Sequence, residues 1–362
     1  MTARSSALCS ALGITHPIFQ SGMSRVAGPE LVAAVSGAGG LGILAALRLE
    51  PDELRAQIRR IRELTSAPFG VNLWLHPSVV RPLAPESIDP ASFESVRATL
   101  NTIRDALGLP PSSDLPSAFP ALVERNLETI LDERVPVFSV GLGNPGGDVV
   151  ARCHDRGIRV MAMVTNVADA RQVADAGVDV IVAQGLEAGG HRSSWSASTS
   201  GEAGTMVIVP RIADAVRLPV VAAGGIVDGR GAVAALALGA AGVMLGTRFI
   251  ATRESIAPAF FKQAVLAAGP GDTVISSAFT GLPMRALRNR FTDEYGNAPV
   301  LPPMLQSGAA EDVFKAAAQR GDAGYASMPA GESAGLIDDL PSAADVVRTI
   351  AEDLNRIARE FV

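Results

Sequence analysis

The stretch VDVIVAQGLEAGGHRSSW, residues 178–195, ends an apolar, β-branched run at Gln184 and then sets Gly189, Gly190 and His191 side by side. A buried strand needs no such ending. Histidine has an unperturbed pKa of about 6.5, so at a strand end it suits proton abstraction near neutral pH. A second concentration of chemistry lies in VVAAGGIVDGRG (220–231) and GVMLGTRF (242–249), where two successive apolar runs close on Gly224-Gly225 and on Gly246-Thr247. Backbone N–H groups and a helix N-terminus at such ends face an anion, and glycine leaves room where a Cβ would block phosphate oxygens. Thr247 adds a hydroxyl. These glycines could simply turn the chain, but two such turns on consecutive strands favour a phosphorylated cofactor or substrate.

Two other glycine runs match G-x-G-x-x-G. The first, Gly37 to Gly42, follows a helical pattern and precedes a strand, the reverse of a dinucleotide fingerprint; it reads as a helix end and tight turn. The second, Gly141 to Gly146, has the right order, but the next strand ends MAMVTN without the acid that would hold a ribose. A glycine-rich barrel loop is the better reading. The other histidines carry plainer expectations. His16 and His76 each precede a proline, His76 at a strand end within reach of the site, and His154 sits in a helix beside Cys153. No metal-ligand spacing is present.

These residues need a scaffold to position them. From residue 134 onward, short β-branched runs alternate with helical segments of about 10 residues, the pattern of parallel βαβ units. The strands are almost wholly apolar, as when both faces are covered. The N-terminal third repeats the rhythm more loosely, giving about eight strands in all. The expected fold is an α/β protein, a (β/α)8 TIM barrel, with an open doubly wound sheet as the competitor. The barrel spans 1–253. A Pro- and Ser-rich helical insertion occupies 77–133, a smaller, mainly helical domain at 254–341 covers the substrate, and an amphipathic helix at 342–362 docks on the barrel.

The 362 residues are 48% hydrophobic and 19% charged, with a net charge of −6 and no basic stripe, so nucleic acid is not an expected partner. No run is long enough to span a membrane, the N-terminus lacks a signal-peptide core, and two cysteines form no disulfide framework. The expectation is a soluble cytoplasmic protein.

Together these stretches resemble the nitronate monooxygenase family, once called 2-nitropropane dioxygenases. PIFQSGMSRVAGPELVAAVSGAGGLGIL (17–44) is similar to its N-terminal motif, VAQGLEAGGHRSSW to its histidine motif, and PVVAAGGIVDGRGAVAALALGAAGVMLGTRFIATRES to its phosphate motif. MPAGESAGLI is a weaker match. The resemblance implies bound FMN. It places Met23 and Asn72 near the flavin ring, and Gln184 in a hydrogen bond at the ring or ribityl chain. Gly189 and Gly190 would let backbone pass close to the cofactor. Gly224 and Gly225, with Met244, Leu245, Gly246 and Thr247, would bind the phosphate, and His191 would be the catalytic base. Met163 stands where some relatives place a lysine. The implied reaction is oxidation of nitroalkanes or alkyl nitronates with molecular oxygen to carbonyl compounds and nitrite, with a homodimer left open. The FMN-dependent enoyl-acyl-carrier-protein reductases share these motifs and are the alternative; they resemble a shorter chain, and the 77–133 and 254–341 regions argue against them. A non-catalytic flavin-binding protein is the third reading, disfavoured by the intact histidine motif.

Overall fold

The computed structural model describes residues 2–195 and 202–360. Among the described residues, eleven strands fall into two sheets. They are β1 (Ile18–Gln20), β2 (Ile43–Ala45), β3 (Gly70–Trp74), β4 (Val137–Leu142), β5 (Arg159–Val164), β6 (Val180–Gln184), β7 (Gly190–His191), β8 (Val220–Ala223), β9 (Gly242–Leu245), β10 (Thr273–Ser276) and β11 (Met284–Leu287). Eight of them form one parallel sheet in the order β1-β9-β8-β6-β5-β4-β3-β2. Its two ends meet at a parallel bridge between Phe19 and Leu41. There Gln20 N–H donates to Leu41 O and Leu41 N–H to Ile18 O, both at 2.9 Å. The sheet is therefore a closed (β/α)8 barrel.

Strand alternation sorts the side chains into two cores. Phe19, Ile43, Val137, Met161, Val180, Val182, Val221 and Met244 pack inside the barrel, joined at its base by Leu8, Cys9 and Leu12 of the N-terminal helix Ala3–Leu12. Their neighbours in sequence, such as Phe138, Val160, Ile181 and Val243, face the surrounding helices. The helix Ala343–Glu360 buries Val346, Val347, Ile350, Leu354 and Ile357, an apolar stripe at helical spacing. It packs on the helices Gly229–Ala237 and Pro29–Gly37. No helix among the described residues is long and apolar enough to cross a membrane.

A second core sits at the C-terminal mouth. It unites Val96, Leu100 and Ile103 of the helix Pro90–Ala106 with Phe261, Phe279, Phe291, Tyr295 and Val313. The first half of the 77–133 segment thus belongs to the same lobe as 254–341. The second half, the helix Val123–Asp132, packs on β3 and on the helix Pro51–Leu64 as a barrel helix would. The lobe is mainly helical, with one addition: β10 and β11 form an antiparallel hairpin, and β7 joins it as a third strand.

The seam between β1 and β2 depends on one polar side chain. Gln20 is fully buried, accepts from Ile43 N–H at 3.1 Å and donates to Ile43 O at 3.2 Å. Gln20→Leu would leave buried backbone groups unpaired, at a cost of about 1–3 kcal/mol. Chemical denaturation should show that loss; an unchanged midpoint would mean the Phe19–Leu41 bridge holds the seam alone.

Candidate active site

The site is built where the barrel and the mouth lobe share a strand. After β6 the chain leaves the barrel, and Gly190 and His191 pair antiparallel with Arg285 and Met284 of β11. Gly190 has φ +77°, and a Cβ there would meet nothing within 4 Å, so backbone conformation rather than crowding calls for glycine. The His191 ring then stands against Trp74 of β3, edge to face, with centroids 4.6 Å apart. Its Nε2 lies 2.8 Å from Thr280 Oγ1. Nδ1 has no hydrogen-bond partner among the described residues. Burial first, then the Arg48 guanidinium, push the His191 pKa down to about 3. The ring is therefore neutral at physiological pH and carries a lone pair.

Asn72 is buried on the inner face of β3, with its Nδ2 donating to Ser139 Oγ of β4 at 3.1 Å. Met23 lies beside the turn after β9, its sulfur 3.6 Å from where a Cβ on Gly246 would stand. Met244 faces the barrel interior. Leu245 points outward into the helix layer, so only its backbone faces the turn. Gly224 and Gly225 adopt φ +115° and +72°. The N–H groups of Gly225, Gly246 and Thr247 have no acceptor among the described residues, whereas the Ala223–Met244 pairing turns Gly224 N–H toward Met244 O. Three unpaired amide donors at two neighbouring strand ends suit an anion. Thr247 Oγ1 accepts from Gly331 N–H at 2.9 Å, so its own proton is left to donate.

Two of the residues that the resemblance assigns to the cofactor also make contacts within the chain. Both ends of the Gln184 amide hold the histidine loop: Oε1 accepts from Ser193 N–H and Nε2 donates to His191 O, each at 2.9 Å. Gly189 permits a close approach of backbone, but the backbone is its own chain's, since a Cβ would come within 2.5 Å of Ala330 and Gly331. Among the other histidines, His76 caps the short helix Pro77–Val80 through its contact with Ser78, and His154 pairs with Asp179 at the surface. No group of three or more His, Cys, Asp or Glu among the described residues could hold a metal.

The nitronate monooxygenase family model matches residues 5–353. The chain belongs to that family. Its members are flavin-dependent oxidoreductases, and so is this protein. A probable nitronate monooxygenase from Staphylococcus aureus (strain MSSA476) is 36% identical over 352 residues, 96% of each chain. A solved nitroalkane oxidase from Streptomyces ansochromogenes superposes with a TM-score of 0.87 at 33% identity, covering 98% of this chain and all 100% of that one. FabK from Thermotoga maritima gives a TM-score of 0.76 at 31% identity, over 98% and 97% of the two chains. Length therefore does not separate this family member from FabK.

Several site residues escaped the sequence reading. Trp74 had a signal: it lies two residues after Asn72, on the same strand face. Thr280 and Gln184's true partners had none, because their contacts join distant parts of the chain. The depressed His191 pKa has a testable consequence. Between about pH 5 and 8 the ring should not titrate by NMR. The folded pKa lies below the unfolded 6.5, so the unfolded chain binds more protons between about 3 and 6.5. The His191 contribution to stability is then lost as pH falls through that window. A ring midpoint near 6.5 would show a solvated histidine.

Proposed function

We propose that this protein is an FMN-dependent oxidase of nitroalkanes or alkyl nitronates that uses molecular oxygen and yields a carbonyl compound and nitrite. The observation that carries the reading is a neutral histidine with an unpartnered Nδ1 at the mouth of a barrel that also offers unpaired amide donors at Gly225, Gly246 and Thr247. Those donors would hold the single phosphate of FMN. Met23, Asn72 and the Gly190 backbone would lie along the rest of the cofactor. FMN, when bound, supplies the electron acceptor and the centre at which oxygen is reduced. His191 would take the proton α to the nitro group, the step that a neutral nitroalkane requires. A nitronate arrives without that proton, and one oxygen atom added to it gives the carbonyl compound and nitrite. Trp74 closes one side of the histidine and limits water there. The buried, unpaired Cys9 and Cys153 thiols suit a reducing, cytoplasmic setting.

The similarity to FabK keeps enoyl-thioester reduction by NAD(P)H as the second reading. One experiment separates the two. The cofactor released on denaturation should have the mass of FMN. Anaerobically, an alkyl nitronate should bleach the flavin and NADPH should not. Release of FAD would overturn the cofactor assignment, and rapid bleaching by NADPH with crotonyl-thioester turnover would favour the reductase.

The base role predicts a split between substrates. His191→Asn should lower turnover of a neutral nitroalkane by roughly 10²–10⁴-fold. With a pre-formed nitronate the loss should stay within roughly tenfold, about 1.4 kcal/mol. Equal losses on both substrates would make His191 a positioning residue.

A further inference from the structure

We propose that Thr280 sets the tautomer of His191: its hydroxyl accepts the Nε2 proton, which leaves the Nδ1 lone pair to take the proton from substrate. This rests on the base role proposed above.

Thr280 lies in the turn between β10 and β11, and that turn is tightly fixed. Its carbonyl accepts from Met304 N–H at 2.7 Å, and Gly281 N–H donates to Ser277 O at 2.8 Å. Gly281 has φ +79°, and a Cβ there would come within 2.6 Å of Leu301 O. The His191 backbone is a rung of the same small sheet, paired with Met284. The 2.8 Å contact between Nε2 and Oγ1 is thus set by local structure at both ends.

Proton counting decides what that contact does. A neutral imidazole carries one N–H, and a hydroxyl has one proton and two lone pairs. If Thr280 donated to Nε2, the ring proton would sit on Nδ1, the nitrogen without a partner, and that nitrogen could not act as a base. In the other arrangement Nε2–H donates to Thr280 Oγ1, and the hydroxyl turns its proton toward Leu282 O, 3.4 Å away. Nδ1 is then free to accept. When it does, the imidazolium donates from both nitrogens, and Thr280 already stands as the acceptor at Nε2. No hydroxyl has to turn over at the moment of proton transfer. Among the described residues no carboxylate reaches the ring, so this hydroxyl is the group that offsets the imidazolium charge at Nε2.

The test uses the flavin-loaded enzyme with ¹⁵N-labelled histidine. Four histidines give four pairs of ring-nitrogen signals, and His191→Asn identifies the pair that matters. At neutral pH the wild-type His191 should show an unprotonated Nδ1 and a protonated Nε2; a protonated Nδ1 would overturn the proposal. Thr280→Val keeps the shape and removes the acceptor. Its turnover of a neutral nitroalkane should drop roughly 10- to 100-fold, the worth of a hydrogen bond to a charged group, and its use of a nitronate should change little. Thr280→Ser should restore most of the loss. Equal losses on both substrates, or no rescue by serine, would reduce Thr280 to a packing role and sink the idea. If the wild type turns over nitronates alone, the reading of His191 as a base fails, and the ring tautomer by itself still decides whether Thr280 sets it.

Discussion

The pairing of β7 with β11 is the constraint on which the rest of this structure depends. A barrel loop that only had to reach the next strand could be short. Here the chain between β6 and β8 first becomes an edge strand of another sheet, two residues long. That excursion brings His191 to Trp74 of the barrel and to Thr280 of the mouth lobe at once. The lobe cannot move as a free lid without carrying the histidine, because main-chain hydrogen bonds join them. Arg192 N–H extends the connection by donating to Pro283 O at 3.0 Å.

The segment 330–332 repeats the same logic at the turn after β9. Gly331 N–H donates to Thr247 Oγ1, and Glu332 N–H donates to Glu187 O at 3.0 Å. The Glu332 carboxylate reaches the buried Arg285 at 3.1 Å. One stretch therefore touches the turn after β9, the histidine loop and the hairpin. Gly189 and Gly331 are the residues that let the two backbones come so near, and a side chain on either would collide with the other's chain. The MPAGESAGLI motif, a weak match in sequence, is in structural terms the clasp of the site.

What the sequence disclosed and what it withheld follow from the range of the interactions. The eight barrel strands were legible because each is a short apolar run closed by its own helix, a local pattern. The strand ends at Gly224-Gly225 and Gly246-Thr247 were legible because a tight turn closing an apolar run is a demand on single residues, and the first pair does take positive φ. The β10–β11 hairpin was not, since TVIS and MRAL are strands of only four residues and MRAL pairs with β7, which lies far back in the sequence. Leu245 was placed in the phosphate site by motif, whereas strand alternation turns its side chain outward beside the inward Met244. Gln184 was assigned to the cofactor by the resemblance alone. Its amide also satisfies the loop that the strand launches, and that need is invisible until the loop's path is known.

The electrostatics of the two halves of the site are complementary. The turns after β8 and β9 present amide donors suited to negative charge, while the nearby Glu187 carboxylate is occupied by Thr205 N–H and Oγ1. The histidine half is desolvated and lies within the influence of Arg48, a cation held over the Phe119 ring at 5.1 Å. Both conditions disfavour an imidazolium and keep the ring in its basic form before substrate arrives. The same conditions make a proton on that ring costly to hold. Desolvation and positive charge at Arg48 thus act in the same direction: both keep the ring neutral, and the cation favours an anion beside it.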